Sequence, residues 1–253
     1  MTNPSGPPSA PVSGGRRVPA AARSIAIIDV VTSERERLRV PQIATRLGIP
    51  RNSAYELINT LADAAVVEVR PDGRVVPGFR LFEWGGAYAQ SLDLIAEADR
   101  LAKELAEQVN ETVHVARLSG SDVVYLVKRE GSQHVSIRSA VGRRVPAHAT
   151  SVGKMLLASL DSAELDGVLA DPLPRMTPQT ITDHAALRTE LAEAARTGLA
   201  FETEESSPEV CCVAAPIRDA SGRVVAALSI STLVTRWEKS KDRQIGRASC
   251  RER

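Results

Sequence analysis

Gly48 lies between two short amphipathic stretches, and the tight turn it imposes constrains this chain more than any other feature. Pro41-Gln-Ile-Ala-Thr-Arg-Leu47 predicts a short helix, with Pro41 in the first turn, where a missing N–H costs nothing, and Gly48 as the stop. Ile49-Pro50 then opens a second helix over Arg51–Ala64, with Ala54, Leu57, Ile58 and Leu61 turned inward. Upstream, a helix of roughly a dozen residues starts at Ser24 and presents Ile25, Ile28, Val30 and Val31 as its apolar stripe. Downstream, Val66–Val69 and Arg74–Val76 are β-branched runs separated by Arg70-Pro-Asp-Gly, a strong hairpin signal. Helix, short helix, four-residue turn, helix and two-strand wing together spell a winged helix-turn-helix. The alternative is a small three-helix bundle carrying a hairpin with no special role.

Charge agrees with the first reading. The chain of 253 residues is nearly neutral at +1, yet residues 16–80 hold eleven arginines against seven carboxylates. A basic front on an acidic body suits a module that meets phosphates. The length accommodates two domains. No apolar run approaches the roughly 18 residues needed to cross a bilayer, and the first twenty residues, rich in Pro, Gly and Ser, read as a disordered tail rather than a signal peptide. Three cysteines, two of them adjacent, form neither a disulfide framework nor a CxxC metal pair, so the expected compartment is the reducing cytoplasm.

Phe79–Ile95 reads as a connecting helix carrying half of the aromatics, and Leu92–Asn110 as a long amphipathic helix. Strands follow at Thr112–Leu118, Val123–Val127 and Val135–Ser139, then helices at Ser151–Ser159, Asp161–Ala170 and Ala185–Thr197. Phe201–Thr203, Cys211–Arg218 and Arg223–Ser231 are further strands. The predicted class is α+β: an N-terminal winged helix-turn-helix (21–78), a linker helix (79–95), and a C-terminal α/β effector domain with an antiparallel sheet (96–243).

His148, Lys154 and the Cys211/Cys212 pair are what an enzyme would use. The four histidines (114, 134, 148, 184) are scattered, however, and no metal-ligand spacing or glycine-rich phosphate loop accompanies them. His148 is expected to be a satisfied structural histidine and Lys154 a surface residue in a salt bridge. No catalysis, metal or cofactor is expected. A binding pocket is better supported. Alternation places Ser229 and Ser231 on one strand face with Leu228 and Ile230 on the other, and of two adjacent cysteines only one can share that face. Thr150-Ser-Val-Gly153 opens a helix whose N–H groups attract a carboxylate. The competing reading makes Ser151 a helix cap and leaves the two serines bonding across strands.

Five collinear stretches resemble the IclR family of bacterial regulators, from about residue 23 to 235. They are Pro41-x-Ile-Ala-x-Arg-Leu-Gly-Ile-Pro-Arg-Asn-Ser-Ala-Tyr55; Glu111-Thr-Val-His-Val-Ala with Val123-Val-Tyr-Leu; Val141-Gly-Arg-Arg-Val-Pro-Ala-His-Ala-Thr-Ser-Val-Gly-Lys-Met-Leu-Leu-Ala158; Leu173–Asp183; and Cys212-Val-Ala-Ala-Pro-Ile-Arg-Asp with Gly222–Ser231. The resemblance implies a GAF-like effector domain and a homodimer or dimer of dimers on a palindromic double-stranded DNA operator, controlled by a small organic acid. It carries effector contacts onto Ser151, Val152, Glu202, Cys212, Ser229 and Ser231, with Ile137 and Val145 as apolar walls. Glu202 stands where the family commonly has aspartate.

With Arg51–Ala64 as recognition helix, Arg51, Asn52 and Ser53 meet the major groove, and Tyr55, Glu56 and Asn59 lie one turn on along the same face. Arg46, Arg70 and Arg74 suit phosphates. Glu56 replaces a frequent basic residue of the family, which implies an altered operator preference. A regulator whose second domain contacts protein without any metabolite is the alternative function, and a metabolite-processing enzyme is the third. Finally, Gln244–Arg253 matches the in-frame translation of a common sequencing adapter, and is expected to be an artefact in place of the native C-terminus.

Overall fold

The computed structural model describes residues 18–33, 37–90, 93–132 and 139–237. The expected tail up to residue 17, most of the strand expected at Val135–Ser139, and the segment 244–253 lie outside the described residues. The chain divides into two compact units, Met1–Ser91 and Leu92–Arg253.

In the first unit, α1 (Pro19–Ser33) begins five residues earlier than expected. Pro19 occupies the first turn and three alanines follow it, a sequence whose helix propensity the apolar stripe alone does not reveal. The stripe shifts accordingly: Ile27 and Val31 are buried, whereas Ile25 is 59% exposed. Next come α2 (Val40–Leu47) and α3 (Arg51–Asp63). Gly48 ends α2 in the left-handed region at φ +62, and Ile49 N–H reaches back to Ala44 O at 3.0 Å, so the turn closes within four residues. Strands β1 (Val67–Val69) and β2 (Val75–Pro77) pair antiparallel. Between them Arg70 N–H donates to Arg74 O and Gly73 sits at φ +79. Ile27, Val31, Ile43, Ala44, Ala54, Ile58, Val67 and Val75 form one core. Helix α4 (Phe79–Gln90) ends the unit, and Phe79, Phe82, Trp84 and Tyr88 on it are all more than half exposed.

Among the described residues, the second unit is built on a six-stranded, wholly antiparallel sheet in the order β5-β4-β3-β8-β7-β6. Its strands are β3 (Thr112–Ser119), β4 (Asp122–Arg129), β5 (Arg144–Pro146), β6 (Ala200–Thr203), β7 (Val210–Arg218) and β8 (Val224–Leu233). β5 and the single 3-10 turn after it (Ala147–Ala149) are too short to show any periodicity in sequence. On one face lies α5 (Asp93–Val109), packed on Val113, Val115, Val213, Leu228 and Ile230. On the other lie α6 (Ser151–Leu157), α7 (Ser162–Val168) and α8 (His184–Thr197), over Ala116, Val123, Ala200, Ala214 and Ala227. Small residues on that face let α6 settle close to the sheet. A Cβ on Gly153 would lie 2.1 Å from Ala147 O, so the first turn of α6 is held hard against the preceding chain. No helix among the described residues is long and apolar enough to cross a membrane.

Candidate functional site

Two surfaces carry the residues singled out by sequence. On α3, burial of Ala54 and Ile58 fixes the helix rotation, which leaves Arg51, Asn52, Tyr55, Glu56 and Asn59 exposed together and Ser53 half-buried. That is the face a recognition helix lays in the major groove. Arg46 is exposed at the end of α2. In the wing, Arg70 and Arg74 are exposed and contact Glu68 (3.3 Å) and Asp72 (3.4 Å). Such exposed pairs are worth less than about 1 kcal/mol and yield readily to a phosphate.

The second surface is the α6 face of the sheet. Register sets Thr112 opposite Ser231, His114 opposite Ser229, and Cys212 opposite both Ser231 and Glu202. Cross-strand partners share a face, so four strands contribute one buried polar row. Glu202, Cys212, Ser229, Ser231, Ser151 and Val152 are each no more than 8% exposed, and Val145 is half-buried at the margin on β5. Ile137 lies outside the described residues. The row is wired together: Cys212 Sγ is 3.1 Å from Glu202 Oε1 and 3.1 Å from Ser231 Oγ, and Ser231 Oγ is 3.3 Å from His114 Nδ1. His114 Nε2 meets Ser139 Oγ at 2.8 Å. Glu202 also accepts from Ser206 Oγ (3.0 Å) and Glu205 N–H (3.0 Å).

Thr150, rather than Ser151, caps α6, its hydroxyl accepting from Gly153 N–H at 3.0 Å. The Ser151 hydroxyl is therefore not spent on a cap. The serines do not bond to each other either; Ser231 is held by Cys212 and His114, and among the described residues no side-chain hydrogen bond engages Ser151 or Ser229.

Burial governs the charges here. It pushes the Glu202 carboxyl up to about 7 against the three hydrogen bonds that favour its ionised form, and it raises the Cys212 thiol well above the usual range. It also brings the His114 imidazole down to about 3, with Lys128 adding to the effect, so His114 is neutral.

One expectation is corrected. Lys154 is not at the surface; it is 1% exposed and its ammonium donates to Glu205 at 2.6 Å and to Glu190. A cation at that depth persists only with carboxylates in contact. His148 is buried with Nε2 3.0 Å from Pro174 O, as a structural histidine requires. Sequence reasoning missed His114, Ser139 and Ser206. The alternation of Thr112, His114 and Ala116 was visible, but the pairing of β3 with β8 that brings His114 to the serines was not. Beside the row, a cleft of about 320 Å³ is lined by Glu190, Glu193 and Glu205 as well as Lys154. Its carboxylates make it a poor place for an anion. Among the described residues no group of three or more His, Cys, Asp or Glu could hold a metal ion.

A groove-ready helix with its wing, joined in one chain to a unit with a buried polar row, defines a DNA-binding regulatory protein. The comparisons specify it further: residues 20–71 match the IclR helix-turn-helix domain and residues 86–250 match the bacterial transcriptional regulator IclR C-terminal family. The chain belongs to the IclR family of transcriptional regulators. It is 33% identical over 226 residues to the HTH-type transcriptional regulator XynR of Escherichia coli, covering 88% of this chain and 90% of that one. It is 32% identical to the HTH-type transcriptional repressor AllR of Klebsiella pneumoniae over 84% of this chain and 79% of that one. Among solved structures, an IclR homolog from Microbacterium hydrocarbonoxydans complexed with 4-hydroxybenzoate is 29% identical, with a TM-score of 0.74, covering 91% of this chain and 98% of that one. These relatives are DNA-binding regulators rather than enzymes.

Proposed function

We propose that this regulator binds a palindromic operator through α3 and the wing, and that a small organic acid, a simple carboxylate or an aromatic acid, controls that binding from the α6 face of the second unit. The carrying observation is the gathering of Glu202, Cys212, Ser229 and Ser231 into one buried row on the sheet face that α6 covers, with Ser151 buried at the start of that helix, and among the described residues no side-chain hydrogen bond engages the Ser151 or Ser229 hydroxyl. Thr112 Oγ1, opposite Ser231, is fully buried with no partner among the described residues, and such a group costs about 1–3 kcal/mol unless a ligand or water engages it. Two free O–H donors beside the start of α6 suit a carboxylate. Val152 and Val145 would wall the site, and the 4-hydroxybenzoate complex of the relative adds weight to an acid.

The segments 21–78, 79–95 and 96–243 would act as reader, linker and sensor. Phe79, Phe82, Trp84 and Tyr88, exposed along α4, supply the apolar surface for a second copy, matching the two halves of a palindrome. The reading places the regulator in the cytoplasm. It is tested by thermal-shift screening of small carboxylates and aromatic acids, run beside a salt-dependent operator shift. Stabilisation by an acid, lost in S229A, is the expected result. No stabilisation by any acid overturns it and favours a second unit that contacts protein alone.

A further inference from the structure

With Glu202 ionised, one assignment of the hydrogens satisfies every contact along the buried row, and its direction sets what the site can accept. Glu202 when ionised can only accept. It takes Ser206 O–H and Glu205 N–H, so the single hydrogen of Cys212 completes its set at 3.1 Å. Cys212 then has no hydrogen left for Ser231, and the 3.1 Å contact between them is made by the Ser231 hydroxyl donating to sulfur. Ser231 has one hydrogen, so the next contact, 3.3 Å to His114 Nδ1, requires an N–H on that nitrogen. His114 is neutral, so its Nε2 is bare and accepts from the Ser139 hydroxyl at 2.8 Å. Every contact in the chain is satisfied by this one assignment. Ser231 is left with one lone pair and no hydrogen to offer. Ser229 and Ser151, by contrast, keep their hydrogens.

We propose that His114 is a positioning residue which, by holding Ser231 as a pure acceptor beside the donors Ser229 and Ser151, makes the site select acids that also carry a hydroxyl donor. This rests on the reading that the α6 face is the effector site. The carboxylate takes the two free serine hydroxyls, and the ligand hydroxyl donates to Ser231. An acid without the hydroxyl leaves Ser231 facing an apolar group, a loss of roughly tenfold for one unmade hydrogen bond. An acid with a carbonyl oxygen at that position meets lone pair with lone pair and binds no better.

The test measures the full chain by calorimetry at pH 8.5, where Glu202 is ionised, with matched pairs: 4-hydroxybenzoate and benzoate, lactate and propionate, glycolate and acetate. In the unaltered protein at least one hydroxy acid binds roughly tenfold or more tightly than its partner. His114→Leu brings that ratio close to one, while His114→Asn, which keeps an N–H donor near the Nδ1 position, retains it. Histidine tautomers read by 15N NMR on the unaltered protein supply a measurement independent of any variant's folding: His114 is protonated at Nδ1 and bare at Nε2. An Nε2–H tautomer, or hydroxy and deoxy acids binding equally well, overturns the proposal while leaving the effector site standing. If no acid of either kind binds, the effector reading itself falls, and this proposal with it.

Discussion

Replacing Glu202 by glutamine is expected to flatten the pH dependence of the second unit's stability. Glu202 is 2% exposed, and burial raises its carboxyl from an ordinary 4.5 to about 7, against hydrogen bonds from Cys212, Glu205 N–H and Ser206. The folded state therefore binds that proton more tightly than the unfolded chain does. Its contribution is complete below the unfolded value near 4.5 and is lost as pH rises through about 7. Between pH 5 and pH 8 the two values imply a loss of about 2–3 kcal/mol. The other titrating groups facing this carboxyl are Glu205, whose own carboxyl burial also raises, and the Cys212 thiol, which stays protonated across the range. Comparing the two proteins cancels most of what Glu205 contributes. The assay is urea denaturation of both at pH 5 and pH 8, following Trp237 fluorescence. The unaltered protein is expected to lose about 2–3 kcal/mol more than E202Q over that interval. Equal losses would refute the argument that Glu202 is a desolvated carboxyl bound mainly to neutral donors.

Lys154→Met leaves Glu205 buried beside an apolar group and is expected to cost about 3–5 kcal/mol, part of which Glu205→Gln recovers in the double variant; chemical denaturation of all four proteins gives the coupling. Gly153→Ala drives a methyl into Ala147 O and is expected to cost more than about 3 kcal/mol, whereas Gly167→Ala, with open space around it in α7, is neutral or stabilising by up to about 1 kcal/mol. On DNA, Asn52→Ala or Arg51→Ala is expected to weaken the operator complex by about 1–3 kcal/mol and relax its sequence preference, while Arg70→Ala weakens all sequences alike and makes the salt dependence shallower by about one. Gel shift across a salt series separates these effects.

Much of this architecture was legible because short elements were punctuated by glycine and proline. Gly48 and the Asp72-Gly73 turn marked where helices and strands stop, and the winged fold followed from their order. The first helix was misjudged because its apolar stripe is equally compatible with Ile25 or Ile27 inward until Val67 and Val75 are placed against it. Lys154 was misjudged for a different reason. Its partners lie 36 and 51 residues away, so nothing local distinguished a buried, paired lysine from a solvated one. The serine row was legible from alternation within β8, but His114 lies 117 residues from Ser231 and joins it only through the β3–β8 register. The resemblance made Glu202 an effector contact. In the structure its oxygens already accept from three internal donors, Glu205 N–H, Ser206 and Cys212, which the spacing in sequence did not reveal.

The central claim is that an acid bound over the serine row alters DNA binding by α3. The most direct measurement is fluorescence anisotropy of the full chain on the DNA adjoining its own gene, at fixed salt, titrated with an acid that raises its melting temperature. The account predicts that the acid shifts operator affinity by fivefold or more, a typical coupling of about 1 kcal/mol or above, and that S229A/S231A binds the same DNA with the shift abolished. An acid that binds the unaltered protein while leaving operator affinity unchanged would contradict it.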